Sequence, residues 1–188
     1  MGYTSFSFAP DENLVVDKIL KYICDIIIMI CFALFVMTFF CHQVEVVGNS
    51  MSPSLVNDQK VFVNTLIYNV VSPERGDVIV FDVPQEKGEK VSYIKRIIAV
   101  EGDSVIIKGG TIFVNDEPYK LKEDTMVVNA GNAGQRIVLE KNEFFVIGDN
   151  INNSEDSRFS TVGIVSKDEI IGKVWMVCAP FKSIKPVK

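Results

Sequence analysis

The sequence has a single histidine, His42, and that scarcity excludes a large class of enzymes. A Ser-His-Asp hydrolase would have to use it as its base. His42 stands beside Cys41 at the end of a long apolar run, where amphipathic side chains collect at a membrane boundary. Cysteine is scarce as well. Of the four, Cys24, Cys31 and Cys41 lie in or at the apolar run, which leaves Cys178 alone in the rest of the chain. One cysteine makes neither an intradomain disulfide nor a zinc-spaced set, so no metal and no other cofactor is implied. Nor is there a basic stripe. With a formal net charge of -5, the chain argues against nucleic acid as a partner. Internal repeats and low-complexity linkers are also absent.

What the chain does have, first, is hydrophobic length. Residues 26–41 are apolar except for Thr38, and Ile23 and Cys24 extend the run past Asp25. This approaches the roughly 20 residues that a spanning helix needs. A cleaved signal peptide is the alternative, but the run is long and Phe39-Phe40-Cys41-His42-Gln43 offers no small-x-small exit. Lys18 and Lys21 flank its N-terminal side, and no lysine or arginine follows until Lys60, which favours a cytoplasmic N-terminus. The expected organisation is a short cytoplasmic segment at 1–20, a single-pass anchor in the cell membrane at 21–41, and an extracytoplasmic domain at 42–188. The stretch to about Asp17 is polar and mixed and is expected to fray. About 145 residues follow the anchor, enough for one domain with its own core.

That domain reads as mainly β. Short β-branched or aromatic runs occur at 60–67, 77–81, 92–100, 104–108, 111–115, 135–139, 143–147 and 170–177, with turn residues between them. Residues 105–114 form the clearest hairpin, turning at Gly109-Gly110. Residues 125–134 read as neither helix nor strand. Many short strands with turn chemistry predict a small coiled β-barrel or folded sheet.

Three segments carry candidate chemistry. Gly48-Asn49-Ser50-Met51-Ser52-Pro53-Ser54-Leu55 sets Ser50 in a turn just beyond the apolar run, and its hydroxyl needs a base to become a nucleophile. With histidine excluded, lysine is the remaining choice. Lys95 lies in a strand pattern in which Tyr93, Lys95 and Ile97 share one face and Ile94, Arg96 and Ile98 the other. An ammonium between apolar neighbours loses hydration, which lowers its pKa and favours the neutral amine. The third segment, 148–158, is dense in short hydrogen-bonding side chains and includes Ser154, Asp156 and Arg158. Such a loop can build a rigid polar network at a core edge.

Taken together these segments resemble the membrane-bound type I signal peptidases of bacteria. Four motifs of that family occur in order: Ser50-Met51-Ser52-Pro53-Ser54-Leu55; Arg75-Gly76-Asp77-Val78-Ile79-Val80-Phe81; Tyr93-Ile94-Lys95-Arg96 running on to Gly102-Asp103; and Gly148-Asp149-Asn150 running on to Ser154 and Asp156-Ser157-Arg158. The resemblance extends from the apolar run to about Gly163. It implies that Ser50 attacks the scissile carbonyl, that Lys95 is the general base and that Ser154 orients the lysine amine. It also implies that the Ser50 N–H belongs to the oxyanion hole. Gly48 stands where some members add a hydroxyl to that hole. Asp156 and Arg158 match positions that brace the loop, with Arg96 as a partner. Val46, Met51, Leu55, Tyr93 and Ile94 are expected around the substrate, and Val46, Val47 and Met51 are expected as an exposed apolar patch covered by lipid.

Three positions depart from the family pattern: Ile151 replaces a more basic residue, Ser54 a more usual threonine, and Phe159-Ser160-Thr161-Val162 lengthens the path to Gly163. The implied partners are preproteins bearing signal peptides, and membrane lipid. The fold implied is the all-β fold shared with self-cleaving repressor peptidases. Related peptidases with one narrow client, such as a pilin or coat protein, stay open on these residues. A non-catalytic anchored β-domain would need neither Ser50 nor Lys95, and a repressor would need a DNA-binding domain in place of the apolar run.

Overall fold

The structure, a computed structural model, describes residues 12–84, 88–120 and 125–187; for 12–15, 36–41 and 181 the backbone alone is described. Two compact units meet at the Phe40-Cys41 peptide bond. The first holds one helix, α1 (Glu12–Phe40). It begins inside the stretch expected to fray to about Asp17, and residues 1–11 of that stretch lie outside the described ones. Among the described residues no helix is long and apolar enough to cross a membrane. The described side chains of α1 run from 16 to 35, and they include Asp17, Lys18, Lys21 and Asp25. The rest of the expected anchor, 36–41, falls outside the described side chains.

The second unit is mainly β. Its strands are β1 (Cys41–Glu45), β2 (Lys60–Asn64), β3 (Val78–Pro84), β4 (Lys90–Ala99), β5 (Ser104–Lys108), β6 (Thr111–Val114), β7 (Glu117–Pro118), β8 (Ile137–Val138), β9 (Glu143–Ile147), β10 (Val165–Ser166), β11 (Ile170–Ala179) and β12 (Lys185–Pro186), with one short helix, α2 (Ile67–Val70). A large sheet runs in the order β1-β2-β11-β3-β4-β9-β10, with β12 beside β11. A smaller one runs β7-β6-β5-β8. Among the described residues no pairing joins β1 to β10, so the strands form two sheets and not a closed barrel.

β1 corrects the sequence reading. Cys41 was expected in the anchor and His42 at its edge, yet both belong to a strand paired from Cys41↔Asn64 to Glu45↔Lys60. Local composition gave no strand signal there; the ladder offered by β2 decides it. At 131–134, within the stretch left without assignment, there is a 3-10 turn, Gly131–Gly134.

Pattern and burial agree best in the middle of the large sheet. β3 lies between β11 and β4 and is apolar on both faces, as a central strand must be. Val78 and Val80 join a cluster with Met51, Leu55, Val61, Val63, Val174 and Val177. Ile79, Phe81 and Val83 face the other way, onto Tyr68, Ile97, Phe144 and Val146. A third cluster, centred on Ile98, Val105, Ile107, Phe145 and Ile147, links the two sheets. A register shift between Ile97 and Ala99 in β4 lets one strand serve both regions.

The sheet closes most tightly where β11 crosses β2. A Cβ added at Gly172 would land on the Asn64 carbonyl. Backbone cannot move aside as a flexible side chain does, so Gly172→Ala is expected to destabilise the domain by about 1–3 kcal/mol. Thermal unfolding of the detergent-solubilised protein checks this; an unchanged midpoint would mean that the crossing relaxes freely.

Candidate active site

The turn after β1 presents Ser50. Its shape comes from backbone bonds, Ser52 N–H to Asn49 O (3.1 Å) and Leu55 N–H to Met51 O (2.8 Å), and from the Gly48 N–H donating to Asn57 Oδ1 (2.7 Å). Met51 and Leu55 pin the turn to the core. Leu55 is 0% exposed and lies wholly inside, which corrects its expected place beside the substrate. The expected lipid-facing patch is corrected too. Val46 and Met51 are buried, and of the three only Val47, 86% exposed, faces outward.

β4 brings Lys95 to the same point. The side chain is 3% exposed, and its Nζ donates to Ser50 Oγ at 2.7 Å. The ammonium also lies 5.5 Å from the centre of the Tyr93 ring. Burial pulls its pKa from 10.5 down to about 8, while the charges of Asp156 and Glu155 resist the fall. Among the described residues the Ser50 N–H makes no hydrogen bond.

The 148–158 loop completes the wall. The Asn150 N–H donates to the Ser50 carbonyl (3.0 Å) and the Asn150 side chain to Asn49 O (3.2 Å), so the loop grips the serine turn directly. Gly148 is required at this crossing, since a Cβ there would strike Ser154 Oγ and the Ser50 carbonyl. Asp156 and Arg158 are fully buried and joined by two bonds, Nε to Oδ1 (2.8 Å) and NH2 to Oδ2 (3.0 Å). Arg158 also donates to the carbonyls of Ile151 (2.5 Å) and Asn129 (3.0 Å), and Asp156 accepts from the Gly148 N–H (3.1 Å). The guanidinium thus ties the loop to itself and to the neighbouring segment.

Two expected contacts differ. Arg96 does not join Asp156 or Arg158. It makes a two-pronged pair with buried Asp149 (2.6 and 2.7 Å) and donates to Gly76 O (2.7 Å) and Ser54 Oγ (3.4 Å). Asp149 and Asn150 were not singled out as site residues, although the Gly148-Asp149-Asn150 motif held both. Ser154 Oγ, expected on the lysine amine, is buried and has no hydrogen-bond partner among the described residues.

A cleft of about 670 Å³ opens over Ser50 and Lys95. Val46, Met51, Tyr93 and Ile94, the residues expected around the substrate along with Leu55, line it together with Gly48, Val47, Asn153, Glu45 and Glu155. Its floor is β4, whose residues from Lys90 to Arg96 pair with β3 while β9 pairs only from Arg96 onward. Among the described residues the first half of β4 therefore has a free edge.

A protein-family model described as "Signal peptidase, peptidase S26" matches residues 19–179. The chain belongs to the S26 signal peptidase family. Among its S26 relatives, Signal peptidase I S of Bacillus subtilis (strain 168) is 34% identical over 185 residues, which cover 93% of this chain and 97% of that one. Signal peptidase IB of Staphylococcus aureus (strain COL) is 32% identical over 184 residues, covering 89% and 93%. A signal peptidase I crystal structure from Enterococcus faecalis V583 covers 56% of this chain and 98% of its own, with a TM-score of 0.43 and 22% identity.

If the Lys95 amine takes the Ser50 proton in the reaction, turnover follows its neutral fraction. With a pKa of about 8, kcat/KM is expected to rise about tenfold per pH unit below pH 8 and to level off above it. A profile flat from pH 6 to 9 would show that the lysine proton does not matter to the reaction.

Proposed function

We propose that this protein is a membrane-anchored serine endopeptidase that removes signal peptides from exported preproteins, with Ser50 as nucleophile and Lys95 as general base. The observation that carries the reading is the 2.7 Å contact between a buried lysine amine and a serine hydroxyl in an open cleft. The family match supplies the substrate class.

The chemistry follows from the protons. Neutral Lys95 Nζ takes the Ser50 proton as Oγ bonds to the scissile carbonyl carbon. Charge develops on the carbonyl oxygen, and the Ser50 N–H, which makes no hydrogen bond among the described residues, would be a donor to it. Gly48 supplies no hydroxyl, and its own N–H is already given to Asn57. The lysine ammonium then protonates the leaving amine as the C–N bond breaks, which leaves an acyl-serine and a neutral amine. Water, deprotonated by the same amine, then attacks the acyl carbon, and the ammonium returns its proton to Ser50 Oγ as the ester C–O bond breaks, which releases the signal peptide and restores the neutral amine. Ser154 Oγ, buried without a partner, is the group available to accept a bond from Nζ once it carries the proton.

An extended substrate fits the free edge of β4 by adding a strand, with main-chain bonds supplying affinity. Small side chains before the cut would sit against Val46, Met51, Tyr93 and Ile94. The anchor completes the reading. The apolar residues 26–41 would hold the enzyme at the bilayer, with Lys18 and Lys21 on the cytoplasmic side and the β unit outside, where preproteins and lipid meet.

Ser50→Ala is expected to abolish cleavage of a preprotein bearing an A-x-A site, with the fold unchanged. Lys95→Arg should be as inactive as Lys95→Ala, because arginine keeps its proton in a protein. Sequencing the product N-terminus reads both, and substantial rescue by arginine would sink the general-base role. For topology, protease added to intact spheroplasts should digest the β unit; protection until the membrane is breached would overturn the orientation.

A further inference from the structure

The catalytic cleft does not end at the reacting pair. A second cavity of about 480 Å³ adjoins it, lined by Asn152, Asn153, Ser154, Glu155 and Phe159. Asn153 and Glu155 line both spaces, so they form the sill between them. The apolar lining of the first cleft suits the small residues that precede the cut. A chain continuing past Ser50 and Lys95 meets that sill next, and the space beyond is built from amides, a hydroxyl and one carboxylate.

Glu155 is exposed and makes no ion pair among the described residues. Its charge is felt at the centre of the site. Burial first, and Glu155 second, raise the Tyr93 pKa, and Glu155 acts on Lys95 in the same direction. The other charged groups lining the cleft are Lys95, which is neutral when it acts, and Glu45. The working cleft therefore carries a net negative field, and Glu155 is the carboxylate that also lines the adjoining space.

We infer that Glu155 selects preproteins by charge at the first residues after the cut, disfavouring acidic side chains there and favouring basic ones. The inference rests on the Ser50–Lys95 reading. A carboxylate in the leaving segment would approach exposed Glu155 in the open hollow it lines, where like charges repel through partly screening solvent. A lysine or arginine would find a counter-ion that has no partner to give up. The effect belongs to the acylation step, because the leaving segment is gone once the acyl-serine forms.

The test uses three preproteins that differ only in the residue following an A-x-A site: lysine, glutamine or glutamate. Each is assayed at low salt with the full-length detergent-solubilised enzyme, and the readout is the ratio of kcat/KM values within one enzyme form. The wild-type ratio of lysine to glutamate substrate is expected to be about fivefold, the scale of a partly exposed charge pair. It should approach one in Glu155→Gln and invert in Glu155→Lys. An undiminished ratio in Glu155→Gln, or its loss in Glu45→Gln instead, overturns the assignment. Cleavage by Ser50→Ala would defeat the dyad itself, whereas an inert Ser50→Ala with a ratio that survives Glu155→Gln defeats the charge selection alone.

Discussion

The structure is organised around a lysine amine kept out of water. Lys95 is 3% exposed, and a fall in pKa from 10.5 to about 8 corresponds to a cost on the order of 3 kcal/mol for its charged form. That cost is what leaves a usable fraction neutral near physiological pH. It can be borne only by a well-built surrounding core, and three apolar clusters meet around the strand that carries the residue. A nearby carboxylate would undo the effect by stabilising the ammonium. Asp156 is near enough to act on Lys95, but it is committed to Arg158 through two hydrogen bonds. The guanidinium thus shields the lysine from its most threatening neighbour while tying down the loop.

Three backbone crossings turn separate motifs into one site. Arg96 spans Asp149, Gly76 and Ser54, touching the loop, the turn before β3 and the serine turn with one side chain. Asn150 holds the Ser50 carbonyl. Gly148 admits the Ser154 hydroxyl where any side chain would block it. The Arg96 and Asn150 contacts join residues far apart in sequence, so the geometry of Ser50 and Lys95 depends on the whole sheet and not on its own turn.

Much of this was legible beforehand. The limits of β5 and β9 match the expected runs, because β-branched residues there stop abruptly at glycine, asparagine or aspartate. The Ser50 and Lys95 pairing was also readable, since the lack of a usable histidine left few bases and the motifs left fewer. What escaped were matters of direction. Val46, Met51 and Leu55 stand in or next to the serine turn, and proximity suggested lipid contact for the first two and substrate contact for all three; the turn folds back, so Val46 and Met51 are buried away from lipid while still lining the cleft, and Leu55 lies wholly inside. Arg96 was paired with the wrong carboxylate because Asp149 and Asp156 share one loop, and only the loop's path decides which faces β4. The strand β1 was hidden because it follows the apolar run without a break, with Cys41 both ending the run and opening the strand. Ser154 was expected to hold the amine, yet Lys95 in this state gives its bond to Ser50.

That missing break has a practical meaning. β1 starts at the residue after α1 ends, and its ladder with β2 begins at Cys41 itself. The join between the two units is a single peptide bond with no spacer to trim. Removing α1 by cutting where the apolar run ends, after Cys41, would take the first residue of β1 and its pairing with Asn64 away with the helix. A soluble fragment that preserves the enzyme has to keep all of Cys41–Glu45, although Cys41 looks by composition like the tail of the apolar run.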